Sequence, residues 1–128
     1  MRNYLVSLIV GCGGILGALS RYWVGNLFQV KNGDFPLGTL IINLTGSFVL
    51  GLFLTFITER HIVLRLFFAT GFLGAYTTFS SFTNETLTLF RQGYLATGLI
   101  YSLISLLGGM LCVYLGFRLA LRIRLQEM

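Results

Sequence analysis

Hydrogen-bonding side chains recur in this sequence where an apolar chain has least use for them. Thr39, Asn43, Thr45 and Ser47 interrupt one hydrophobic stretch, Thr77, Thr78, Ser80 and Ser81 a second, and Tyr101 and Ser105 a third. All offer hydroxyl or amide donors and none carries a fixed charge. On a helix, Tyr101 and Ser105 share a face that Gly109 continues. Such a stripe could replace the water of a small ion. For Asn43, an interhelical hydrogen bond is the plain alternative, and the residues alone leave both readings open. Phe79 and Phe82 lie one helical turn apart in the most polar of these stretches. Phenyl rings have electropositive edges, so ring edges and hydroxyls together could border an anion. For a phenylalanine pair alone, core or lipid packing is the simpler reading. Glu85 is the one acid within an apolar stretch, toward its end.

Enzyme chemistry is not expected. His61 sits alone in a polar loop, and Cys12 and Cys112 lie in apolar segments with no CxxC motif and no neighbouring histidine. No serine is paired with a lysine or histidine, and no metal-ligand cluster is visible.

The elements that must position these groups follow from composition. Only 10% of the residues are charged against 55% hydrophobic, too few to cover a water-facing surface. Lipid is the expected solvent. A chain of 128 residues is a single domain, 1–128, with room for four spans of roughly 20 residues each. The formal charge of +5 resides at segment ends, as at membrane interfaces, and no basic run with interleaved aromatics suggests nucleic acid. Arg2, an apolar run and Gly17-Ala18-Leu19-Ser20 imitate a secretory leader. That reading is rejected, because cleavage would leave only more membrane-seeking sequence.

The apolar stretches run from about Tyr4 to Val24, Leu37 to Thr58, Ile62 to Phe90 and Tyr94 to Leu119. No barrel-type alternation appears, so the spans are expected to be helices. Small residues four apart, Gly13 with Gly17 and Ser47 with Gly51, predict close helix packing. The third stretch is unusual from Gly74 to Phe82, where Gly, Thr and Ser are weak helix formers. A broken helix is tolerable in a membrane only where protein or a wet cavity covers it. An unbroken helix with back-bonded hydroxyls fits the pattern equally well.

Taken in order, Gly17-Ala18-Leu19-Ser20-Arg21-Tyr22, Pro36-Leu37-Gly38-Thr39-Leu40-Ile41-Ile42-Asn43-Leu44, the run Gly71 to Phe82 with Glu85 after it, and the Tyr101/Ser105 stripe resemble the Fluc/CrcB family of fluoride channels. The resemblance covers all four spans, and the third-span motif is its most specific part. It implies an all-α integral membrane protein of four transmembrane helices with a break in the third, assembled as an antiparallel, dual-topology homodimer. It further implies passive export of fluoride across the bacterial cytoplasmic (inner) membrane, with a structural sodium ion at the dimer centre. By position, Phe79 and Phe82 would be the pore aromatics, and Asn43, Ser81, Tyr101 and Ser105 the polar track. Thr39 and Glu85 would lie along the pore, Arg21 near a vestibule, and Gly74 and Thr77 would offer carbonyls to sodium. One departure is Gly109, where the family's track often continues with a hydroxyl.

Two other readings fit less well. A small multidrug transporter would need an acid in the first span, which has none. An assembly subunit would explain the glycines but not the polar third span. Dual insertion is expected despite six basic residues on the side of the termini (Arg2, Arg60, Arg65, Arg118, Arg122 and Arg124) against three on the other (Arg21, Lys31 and Arg91), a bias that by itself favours one orientation.

Overall fold

The computed structural model describes residues 3–28, 33–57 and 61–126. Among them the fold is all helix, and four helices are long and apolar enough to cross a membrane. We label the elements α1 (Asn3–Leu27), α2 (Leu37–Phe56), α3 (62–76), α4 (Phe79–Arg91) and α5 (Leu95–Gln126). Elements α3 and α4 together make the third span, Ile62–Arg91. The chain is a multi-pass membrane protein. Thr58, the expected end of the second span, lies outside the described residues.

The last helix outruns the expected boundary at Leu119 and continues to Gln126. Apolarity ends there but helix propensity does not, since Leu, Arg and Gln are all good helix formers. Between α4 and α5 the chain reverses at Gly93, whose φ of +86° suits a residue without a Cβ. The N–H of Gly93 donates to Phe90 O at 3.1 Å and that of Tyr94 to Leu89 O at 2.9 Å, the Schellman arrangement that satisfies the last carbonyls of a helix.

The lower half of the third span is not regular α-helix. Residues Arg65–Leu73 form a π-helical run. Its rings stack in a row, Phe68 on Phe72 at 5.2 Å between centroids and Phe72 on Tyr76 at 6.0 Å, both nearly parallel. This segment packs against α1 through glycines. A Cβ at Gly13 would collide with the carbonyl of Phe67, and one at Gly17 with the carbonyl of Phe72. Backbone meets backbone here, as close packing between membrane helices requires. Helix α2 lies along α5, again through glycines: Gly51 faces the carbonyl of Val113, and Gly116 that of Phe48.

A small core of Leu40, Phe82, Leu89 and Tyr101, with Phe35 and Leu44 at its edge, joins α2, α4 and α5. Tyr101 is fully buried. Its ring meets Phe35 edge-on at 5.4 Å and Phe82 at 5.3 Å.

Candidate functional site

The third span breaks at Thr77 and Thr78. Both have extended backbone, with ψ of 155° and 121°. The break is held by Asn43 of α2. Its Nδ2 donates to Thr78 O at 2.9 Å, and its Oδ1 accepts from Thr78 N at 2.8 Å. An uninterrupted helix would have sent that N–H to the carbonyl of Gly74. One amide side chain therefore supplies both partners that a residue leaving the helix loses, which answers the accounting that buried backbone demands. The helix then restarts with Thr78 as its N-cap, where Oγ1 accepts from Ser81 N at 3.1 Å. The Thr78 hydroxyl in turn donates to Ser81 Oγ at 3.1 Å.

Beside the break lies a groove of about 310 Å³. It is lined by Asn43 and Ser47 from α2, Gly74 and Thr77 from the break, Phe79 and Phe82 from α4, and Ser105 from α5, with apolar residues between them. Four expected site residues from outside the Phe pair's own helix, Asn43, Gly74, Thr77 and Ser105, thus meet the pair in one place. The rings of Phe79 and Phe82 are 5.7 Å apart between centroids. Their environments differ: Phe82 is 8% exposed and Phe79 is 72% exposed, so one ring belongs to the core and the other to the groove's rim.

Ser105 stands out. Its Oγ is buried and has no hydrogen-bond partner among the described residues. Most buried polar atoms have one. Tyr101, one turn earlier on the same helix, has given its proton elsewhere.

That proton goes to Glu85. Tyr101 Oη donates to Glu85 Oε2 at 2.6 Å, and Thr39 Oγ1 donates to Glu85 Oε1 at 2.7 Å. Both carboxylate oxygens are engaged, by side chains from two other helices. Thr39, Glu85 and Tyr101 therefore form a hydrogen-bonded cluster adjoining the groove through Phe82, and none of them lines it. Ser81 and Arg21 also fall outside its lining. Arg21 lies near the end of α1, partly exposed. Among the described residues, no cluster of His, Cys, Asp or Glu could hold a metal ion, so a cation here would depend on carbonyl and hydroxyl oxygens.

One groove residue, Ser47, was legible in the sequence as a donor within the second span and as a small packing residue, but was not singled out as a site residue. The signal that could have singled it out is its position one turn after Asn43, on the same face of α2.

Residues 8–117 match the family described as CrcB-like protein, Camphor Resistance (CrcB). The chain belongs to this family. A relative from Moorella thermoacetica, named fluoride-specific ion channel FluC 2, is 49% identical over 117 residues, covering 86% of this chain and 92% of that protein. Another from Methanocaldococcus jannaschii, named fluoride-specific ion channel FluC, is 43% identical over 118 residues, covering 91% of this chain and 94% of its own length. A third, from Synechococcus and of the same name, is 47% identical over 119 residues, covering 90% of this chain and 92% of that protein. The matched region contains the break, the groove and the Glu85 cluster whole. These relatives are named as channels, which places the family among transporters and not among enzymes.

Proposed function

We propose that the chain forms a fluoride-selective channel that exports fluoride passively across the bacterial inner membrane. The observation that carries this reading is the unpartnered hydroxyl of Ser105, buried at a groove that also receives the rings of Phe79 and Phe82. An orphaned donor inside a membrane protein is costly, and an anion in the groove would satisfy it. Fluoride is small and strongly hydrated, so its dehydration requires replacement donors. Ser105 offers an O–H, Asn43 keeps one amide N–H beyond the one given to Thr78, and the two phenyl rings offer electropositive edges. None of these is a full positive charge, and conduction needs sites weak enough to release the ion. The relatives' printed names supply the identity of the anion.

The same reading makes the working unit an antiparallel homodimer. Phe79 and Gly74 border the groove yet are exposed in the single chain. A pore requires a second wall, and a second copy supplies one. Two-fold symmetry would also bring two broken spans together. At each break the N–H of Thr78 is diverted from the carbonyl of Gly74 to Asn43, and the extended ψ of Thr77 turns its own carbonyl out of the helical path. These are hard oxygen donors without a carboxylate, a set that fits a monovalent hard cation. Gly74 and Thr77 of both copies would hold a sodium ion, which would supply a fixed positive charge and a link between subunits. Arg21 would then lie near a vestibule, and Thr39, Glu85, Tyr101 and Ser81 beside the path.

Purified protein in liposomes loaded with fluoride tests the reading. Rapid fluoride efflux without matching chloride efflux is expected. Equal permeation of both anions, or of neither, would overturn it.

A further inference from the structure

A second hydroxyl in the groove has no partner. Ser47 lies on α2 one turn beyond Asn43 and lines the same groove as Ser105. Several hydroxyls of the long helices bond back to the preceding turn, as Thr45 does to Ile41 O, Thr55 to Gly51 O and Ser102 to Gly98 O, a common fate of Ser and Thr inside helices. The Ser47 hydroxyl makes no such bond and no other among the described residues. Across from it, α5 presents Gly109. A Cβ built on Gly109 would meet Ser47 Oγ at 3.8 Å and nothing else within 4 Å. The hydroxyl thus looks onto space that a side chain at 109 would fill and that glycine leaves open. Gly109 itself follows Ser105 by one turn, so the two free hydroxyls, one on each wall, border adjacent levels of one groove.

We propose that Ser47 is an anion-binding residue: its O–H donates to the ion at the level next to Ser105, in the room left by Gly109. The proposal rests on the channel reading and deepens it, adding a donor on α2 beyond Asn43. A hydrogen bond to an ion is worth more than one between neutral groups. Ser47→Ala should therefore lower fluoride efflux by about tenfold, while gel filtration shows an unchanged assembly.

The decisive variant moves the hydroxyl to the opposite wall. Ser47→Ala combined with Gly109→Ser puts an O–H back at the same level of the groove, with space to receive it. It should recover more than about half of the wild-type rate, within the precision with which single donors can be ranked. Packing alone would not do this, since the double variant restores neither the shape nor the helix of the original side chain. Wild-type rates in Ser47→Ala, or a loss that Gly109→Ser does not relieve, would overturn the proposal and leave the channel reading standing. A wild-type protein that carries no fluoride would overturn both.

Discussion

Asn43 of α2 holds the backbone of Thr78 by both its N–H and its carbonyl, at 2.8 and 2.9 Å. The contact joins residues 35 positions apart and keeps the third span open at the place where the groove forms. Substituting aspartate removes the donor to Thr78 O and sets a negative oxygen against that carbonyl and against any anion nearby. Asn43→Asp should abolish fluoride efflux. It should also lower stability by about 1–3 kcal/mol, the cost of stranding a buried partner. Unfolding in detergent and liposome efflux would be measured on the same preparation. Wild-type rates would show that the amide has no part in conduction.

The two phenylalanines should separate conduction from stability. Phe79 is 72% exposed, while Phe82 is buried against Tyr101 and Phe79. Isoleucine keeps apolar bulk and loses the electropositive edge. Phe79→Ile should leave unfolding unchanged and slow fluoride efflux. Phe82→Ile should do both damage to packing, by about 1–2 kcal/mol, and slow efflux. The double variant should lose most of its flux while remaining folded. Unaltered efflux in the double variant would remove ring edges from the mechanism.

Much of this fold could be read from hydropathy, because a bilayer demands long apolar helices and little else meets that demand. The start of the second span at Leu37, after Pro36, and the turn at Gly93 were both legible for local reasons. The π-helical form of Arg65–Leu73 was not. It depends on how the backbone settles against Gly13 and Gly17, and no residue type in the run encodes it. The break was half legible: weak helix formers marked the place, but the partner that makes a break affordable, Asn43, is distant in sequence. The site residues show the same division. Ser105 was visible in the stripe of Tyr101, whereas the pairing of Tyr101 and Thr39 on Glu85 needs three helices to be in register first. The identity of the transported ion was legible only through resemblance, since no spacing of hydroxyls names an anion.

The glycines of α1 offer a direct check on that register. Gly13 faces the carbonyl of Phe67 with no room for a Cβ, whereas Gly11 has nothing within 4 Å. Gly13→Ala should lower stability by about 1–3 kcal/mol, the range for overpacking, and should disturb the π-helical segment. Gly11→Ala should be neutral or mildly stabilising, because alanine is the better helix former. Thermal unfolding of the two variants side by side decides the matter. Equal behaviour would mean that α1 does not rest on the third span through Gly13.

The antiparallel dimer can be tested by where the termini lie. If two oppositely inserted copies make the pore, each terminus should be reachable from both sides of the membrane in a population of intact cells. The native cysteines, Cys12 and Cys112, are free, so a background with both changed to serine is needed before a single cysteine is added at either end. An impermeant reagent is expected to label about half of the copies in intact cells and the remainder only after the cells are disrupted. The basic residues resist this outcome, since six lie on the side of the termini against three on the other, and such a bias steers a chain toward one orientation. Arg118 weakens that bias, because it lies within α5 rather than in a loop, with its guanidinium 5.8 Å from the centroid of the Tyr114 ring. Labelling confined to the cytoplasmic side in every copy would exclude the antiparallel pair. Gly74 and Thr77 of two copies would then face the same leaflet's half of the membrane, and the paired carbonyls proposed for sodium would lose their two-fold partner.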